Sequence, residues 1–193
     1  MEEVTKREGW SKSALDQMHK VDSFLKESQR FHPVGICKLD HDLHNDFHLT
    51  SEVLMNRYVL EDYTFSDGTT VPAGTTVTIP TVSVHLNPAV YEDPLKFDGF
   101  RFIKMRERAV LDGHPEKYYD AVTVNSEFIA FGQGKHACPG RFFASAEIKL
   151  LLAHIIATYD VKLEDGGCRP SDFVVMNTNA PNPTAKIYFR KRQ

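Results

Sequence analysis

Apolar residues recur at helical spacing near the start of the chain. They fall at every third or fourth position and predict an amphipathic helix over 11–30. Ser11 is a typical N-cap residue for this helix, and Pro33 ends it because proline disfavours helical conformation in the residue before it. The positions that define the apolar face are Leu15, Met18, Val21 and Leu25.

A second apolar series predicts a longer helix over 139–159, and Pro139 suits its first position. The residues that share one face of this helix by spacing are Phe143, Ala146, Leu150, Ala153 and Ala157. This helix directly follows the Gly-rich segment 131–138, so the residues at its N-terminus are candidates for function.

Elsewhere the pattern is typical of strands and turns. A strand over 56–64, a turn at Asp67-Gly68 and a strand over 75–80 predict a β-hairpin. Residues 85–127 are rich in Pro, Asp and Gly and are predicted to be largely irregular, which favours a function or a large cofactor to surround. Further short strands are predicted over 159–163, 173–177 and 185–190. The prediction is an α+β fold that is mainly helical.

Composition narrows the class of protein. With 193 residues, 41% hydrophobic and 25% charged, the chain is typical of one soluble globular domain over 1–193. A net charge of -3 with dispersed Lys and Arg argues against a nucleic-acid partner. No apolar run approaches the roughly 20 residues of a membrane span, and the acidic start is not typical of a signal peptide or anchor. We therefore expect neither a nucleic-acid partner nor a membrane segment in this chain.

The three cysteines, Cys37, Cys138 and Cys168, are too few and too scattered for a disulfide framework. A reducing compartment leaves a thiol free to act as a ligand, and Cys138 has the surroundings for it. It lies just before a helix, whose free N–H groups and dipole favour a thiolate. Gly134 and Gly140 lack side chains on either side of it, which lets a flat ligand approach the backbone.

Two neighbours complete the pattern. Phe131 offers an aromatic face, and His136 can donate a hydrogen bond to a carboxylate such as a porphyrin propionate. The segment reads Phe-x-x-Gly-x-His-x-Cys-x-Gly from Phe131 to Gly140 and resembles the cysteine-ligand loop of the cytochrome P450 monooxygenases. The resemblance implies that Cys138 is the axial thiolate ligand of the iron in haem, iron protoporphyrin IX. The alternative is a buried structural cysteine that caps a helix.

Three further residues match the family in its order along the chain. Glu27 and Arg30 are spaced to share a helix face, and the segment 94–102 resembles the family's arginine-containing loop with Arg101. The resemblance implies that Glu27, Arg30 and Arg101 form a buried triad that holds the loop presenting Cys138. The alternative for the first two is an ordinary solvent-exposed ion pair.

Two residues outside these segments also match family positions. Arg57 resembles the strand arginine that binds a haem propionate, for which its planar fork is suited; the alternative is an exposed strand cation. His85, in a segment typical of the family, is interpreted as structural with no role at the haem.

The resemblance covers the C-terminal, haem-binding part of the cytochrome P450 fold, so the chain is expected to be truncated. It contains nothing like the central helix with an acid–alcohol pair or an N-terminal anchor. Residues 37–53 are predicted to be an insertion, from a translated intron or a gene-modelling artefact. A zinc site is a weaker alternative there. Its residues would be His41, His44 and His48 with Cys37 or Asp40.

The function implied is that of a haem-thiolate monooxygenase. By resemblance to fungal enzymes it would hydroxylate or oxidise a hydrophobic secondary metabolite, a terpenoid or mycotoxin precursor, with electrons from an NADPH-dependent reductase. No catalytic residue is assigned beyond the haem ligand. The alternative is a truncated, non-catalytic haem-binding remnant. Relatives are typically held at the endoplasmic reticulum membrane, and this chain without the anchor is expected to be cytoplasmic.

Overall fold

The computed structural model describes residues 7–33, 53–113, 116–164, 170–175 and 178–193. Its helices are α1 Lys12–Asp16, α2 His19–Phe31, α3 Thr81–His85, α4 Arg101–Leu111 and α5 Arg141–Thr158. Its strands are β1 Val53–Tyr58, β2 Tyr63–Thr64, β3 Thr70–Val71, β4 Thr76–Pro80, β5 Tyr159–Leu163, β6 Phe173–Val175, β7 Thr178–Ala180 and β8 Ile187–Lys191. Helices hold more of these residues than strands, which confirms an α+β, mainly helical fold.

The first predicted helix is two helices, α1 and α2. The Ser11 hydroxyl accepts a hydrogen bond from the Ala14 N–H at 3.1 Å, as expected of an N-cap, and α2 ends before Pro33. The chain leaves helical geometry at Met18, whose ψ is 59°. Apolar spacing continues through this break because both helices pack on the same cluster, which consists of Ala14, Leu15, Met18 and Ala153. Spacing alone therefore does not reveal the break.

The predicted hairpin is present as two antiparallel pairs. β1 pairs with β4, so that Arg57 lies opposite Val77, and β2 pairs with β3 beyond it. At the turn the Asp67 carboxylate accepts a hydrogen bond from the Thr69 N–H at 2.9 Å, which is a typical role of Asp in turns. In the C-terminal part β5 pairs with β8 and β6 with β7.

The prediction that 85–127 is largely irregular is wrong for α4. Phe102 and Ala109 are 2% and 4% exposed on its buried side, but the charged residues between them conceal this spacing in the sequence. The start of α4 is held by Ser23 of α2, whose hydroxyl donates to the Gly99 carbonyl at 2.9 Å and accepts from the Ile103 N–H at 3.1 Å. Tertiary contacts with α2 therefore support this helix.

The spacing along α5 does not reveal which of its faces is buried. Of the residues that share one face by spacing, Ala153 is buried, whereas Phe143 and Leu150 are 75% and 40% exposed. The buried stripe consists of Ser145, Lys149 and Ala153. Because α5 is apolar on nearly every side, its pattern does not select one face.

The predicted insertion at 37–53 and its zinc alternative lie outside the described residues, except for Val53 at the start of β1. Across the residues that the structure does describe, no helix is long and apolar enough to span a membrane.

Candidate functional site

Cys138 is a free, exposed thiol between a short 3₁₀ turn, Gly134–His136, and the first turn of α5. The loop before it is closed by its own backbone. The Cys138 N–H donates to the Phe131 carbonyl at 2.8 Å, and the Ala137 N–H donates to the Gly134 carbonyl at 3.0 Å. The backbone thus fixes this loop, 131–138, while the thiol remains accessible.

Two glycines give the loop its shape. Gly132 and Gly134 have φ values of +73° and +70°, in the left-handed region that other residues adopt only at a cost of roughly 1–2 kcal/mol. Gly134 was predicted from the sequence to be part of the site, whereas Gly132 was not. The Gly-x-Gly pattern at 132–134 could have indicated both.

Gly140 has a different role, because its backbone is helical, with φ −78°. A Cβ added there would lie 3.9 Å from the Cys138 Sγ, so the missing side chain leaves space directly beside the sulfur. Phe131 is half-buried and His136 is exposed. An accessible thiol beside a backbone without a side chain fits a flat, iron-containing ligand such as haem.

Arg57 of β1 reaches the same loop. Its Nη2 donates to the Gln133 carbonyl at 3.4 Å, a long hydrogen bond, and its Nη1 donates to the neighbouring Asn56 carbonyl at 2.8 Å. Arg57 as a whole is half-buried. The fold therefore brings the strand arginine to the loop that carries His136 and Cys138.

Glu27, Arg30 and Arg101 lie together in the interior, at 0%, 1% and 7% exposure. Arg30 meets the Glu27 carboxylate with two parallel hydrogen bonds of 2.7 and 2.8 Å. The Nε of Arg101 lies 3.2 Å from both oxygens of the same carboxylate. One carboxylate is thus shared by two guanidinium groups, the arrangement in which breaking a buried pair is costly.

The remaining donors of these two arginines hold a nearby stretch of backbone. Arg30 donates to the carbonyls of His85 and Pro94, each at 2.9 Å. Arg101 donates to three further carbonyls, those of Glu92, Asp93 and Lys96. The Asp98 N–H also donates to the Glu27 carboxylate at 2.9 Å, so the triad fixes the segment 85–98 and reaches the Cys138 loop through an intermediate.

His85 provides that intermediate contact. Its ring is fully buried, stacks on Phe128 at 5.1 Å, and accepts a hydrogen bond at Nε2 from the Ile129 N–H at 3.0 Å. Burial, with a smaller contribution from the Arg30 guanidinium, lowers the pKa of His85 to about 4, so the ring is neutral and able to accept. Ile129 lies just before Phe131, so His85 links the triad to the start of the loop.

Arg141 is a residue that the sequence analysis missed. Its Nη1 donates to the Cys138 carbonyl at 2.8 Å and its Nε to the Val122 carbonyl at 3.1 Å. The guanidinium also lies 4.3 Å from the centre of the Phe142 ring. Its position directly after Gly140 of the motif could have indicated that it lies close to Cys138.

Residues 47–187 match the sequence model of the cytochrome P450 family. The chain belongs to the cytochrome P450 family. Cytochrome P450 monooxygenase 151 of Postia placenta is 42% identical over 193 residues, which are 100% of this chain and 35% of the relative. The ent-kaurene oxidase of Fusarium fujikuroi is 41% identical over 187 residues, 95% of this chain and 32% of the relative. The predicted family is thereby confirmed.

Solved cytochrome P450 structures share the fold. A retinoic acid-bound cyanobacterial CYP120A1 matches with a TM-score of 0.65 and 23% identity, over 94% of this chain and 34% of that one. The haem domain of cytochrome P450DA matches with a TM-score of 0.62 and 20% identity, over 94% and 32%. The chain thus spans about a third of the length of the curated relatives and solved structures described here.

Proposed function

We propose that this cytochrome P450 chain forms the thiolate side of a haem monooxygenase, with Cys138 as the axial ligand of the iron. One observation carries the proposal: an exposed free thiol at the end of a closed Gly-rich loop, directly before α5.

When bound, haem would supply the oxygen chemistry for insertion into a C–H bond. The residues of this chain bind and orient it. Gly140 leaves room beside Sγ, Phe131 offers an aromatic ring, and Gly134 permits the turn. Arg57 and His136 would bind the propionates by charge-assisted hydrogen bonds, for which the fork of an arginine is suited.

The supporting residues would hold the ligand loop in place. Glu27, Arg30 and Arg101 fix the segment 85–98, and His85 passes that constraint to the Ile129 N–H. Arg141 fixes the Cys138 carbonyl itself. A cysteine held in this way would have little freedom to move, which suits a residue that holds a prosthetic group.

We further propose a small hydrophobic substrate, a terpenoid or mycotoxin precursor, that is hydroxylated or oxidised with electrons from an NADPH-dependent reductase. The proposal is supported by the relatives at about 40% identity, one of which is an ent-kaurene oxidase. Function depends on the site rather than the fold, so the class of substrate rests on these relatives.

The test is the spectrum of the reduced, carbon monoxide-treated chain after reconstitution with haem. We expect a thiolate-type Soret band, lost in Cys138→Ser and kept in the matched control Cys168→Ser. A histidine-type or free-haem band in the unaltered chain contradicts the proposal, as does a thiolate-type band that persists in Cys138→Ser.

A further inference from the structure

A second buried carboxylate lies on α2, more than one turn before Glu27. Asp22 is 6% exposed. Its Oδ2 accepts a hydrogen bond from the Ala121 N–H at 2.8 Å, and its Oδ1 pairs with the Lys149 Nζ at 2.9 Å. The side chains of the ion pair are each 9% exposed, so water screens the pair little.

The two partners of Asp22 flank the candidate ligand in the sequence. Ala121 precedes the Cys138 loop, and Lys149 lies on α5, which follows it. A single carboxylate on α2 therefore binds both ends of the segment 121–149. The triad is different, because its hydrogen bonds go to 85–98 and reach the loop through His85.

We infer that Asp22 and Lys149 form a second buried latch, in which Asp22 is a positioning residue that fixes the loop presenting Cys138. The inference rests on the proposed role of Cys138 as the haem ligand. A buried ion pair is weak evidence for stability, but it fixes geometry when each charge has its partner. The ion pair and the hydrogen bond of Asp22 fix the positions of α5 and of Ala121 relative to α2.

Lys26 strengthens one side of this latch. It lies one helical turn after Asp22 and is 1% exposed, and its Nζ donates to the carbonyls of Asp120 at 3.0 Å and Tyr118 at 3.4 Å. The ammonium also lies 4.6 and 5.0 Å from the ring centres of Phe128 and Phe102. One face of α2 thus holds 118–121 at three points, and Lys149 joins Asp22 to α5.

The experiment is hydrogen exchange of the 193-residue chain without haem, followed by mass spectrometry of its peptides. In Lys149→Met we expect amides of 131–145 to exchange about tenfold faster, while the β1–β4 hairpin exchanges as before, because local opening is independent of distant elements. The matched control is Glu147→Met, an exposed charge on the same helix, which should change neither.

A second variant covers the case in which an unpaired Asp22 prevents folding. The pair Asp22→Leu with Lys149→Met removes both members of the ion pair together, so neither is left buried without the other, and Lys26 keeps its hydrogen bonds to the carbonyls of Asp120 and Tyr118. We expect retained helix content by circular dichroism and the same fast exchange of 131–145. Exchange at the unaltered rate in this folded variant overturns the inference, and so does equal acceleration everywhere or loss of folding in both variants.

The two proposals fail separately. The exchange rates are measured without haem, so they test the latch whether or not Cys138 binds iron. With haem added, we expect the double variant to show a smaller thiolate-type fraction than Glu147→Met. If Cys138→Ser leaves the haem spectrum unchanged but exchange at 131–145 responds to Lys149→Met, the loop is latched and its proposed ligand role is wrong.

Discussion

The triad region and the Cys138 region are built in opposite ways. Around Glu27 the charged groups are buried and paired, and both guanidinium groups also donate to backbone carbonyls. Around Cys138 the loop is held by backbone hydrogen bonds and glycine geometry, and its thiol and His136 are exposed. Buried, paired charges therefore hold the first region, whereas the second region leaves a thiol and an imidazole accessible, as the proposed haem site would require.

We expect the largest loss of stability when the buried triad around Glu27 is disrupted. Glu27→Gln removes the negative charge that Arg30 and Arg101 share, leaving two buried guanidinium groups uncompensated. We expect a loss of about 3–5 kcal/mol in the free energy of unfolding, measured by urea denaturation. Glu164→Gln, which removes an exposed partner of Lys186, is the control and should change little. A loss below about 1 kcal/mol for Glu27→Gln would mean that the triad is not a supporting unit.

The next effect concerns the link between the two regions. Burial lowers the pKa of His85 to about 4 in the folded chain, compared with 6.5 for an ordinary histidine. The unfolded chain therefore takes up the proton first, so stability is present above pH 6.5 and is lost as the pH falls through 4. For this group alone we expect a loss of roughly 2 kcal/mol between pH 7.5 and 5.

The check uses urea denaturation at both pH values with His85→Gln, whose amide oxygen can still accept from the Ile129 N–H but does not titrate. The variant should show a smaller loss between pH 7.5 and 5 than the unaltered chain. Equal losses would show that His85 is not the titrating link.

A smaller effect on stability is expected from changing the glycine backbone of the Cys138 loop. Gly132→Ala places a side chain at φ +73°, which should cost roughly 1–2 kcal/mol in the free energy of unfolding. Gly140→Ala, at a helical φ of −78°, is the matched control and should not destabilise the chain. It should instead weaken haem binding, because its Cβ enters the space beside Sγ. The reverse order of stability, measured by thermal unfolding, would reject this division of roles.

Arg57 is expected to contribute least to stability but to affect haem affinity. Arg57→Ala removes a long hydrogen bond to the Gln133 carbonyl and an exposed one to the neighbouring Asn56 carbonyl, so we expect less than about 0.5 kcal/mol of destabilisation. Haem affinity should nevertheless fall about tenfold if the guanidinium binds a propionate. Spectrophotometric haem titration measures it, with the exposed Arg108→Ala on α4 as control. Unchanged affinity would identify Arg57 as an ordinary strand cation.

The sequence by itself determined whatever depends on residues close together along the chain. Cys138 with its glycines, Ser11 as an N-cap and the i, i+3 spacing of Glu27 and Arg30 are local patterns, and local patterns can be read directly. The family followed from the same short motifs.

Only the tertiary structure decided which distant groups meet. Phe102 of α4 is buried because it packs with Tyr91 and Phe128, and its charged neighbours hide that role in the sequence. The buried face of α5 and the contact between His85 and Ile129 depend on where other elements lie. The sequence pattern does not single out Asp22 or Lys149, because their burial depends on contacts between distant segments. Their pairing arises from the way the chain folds back on α2 on both sides of Cys138.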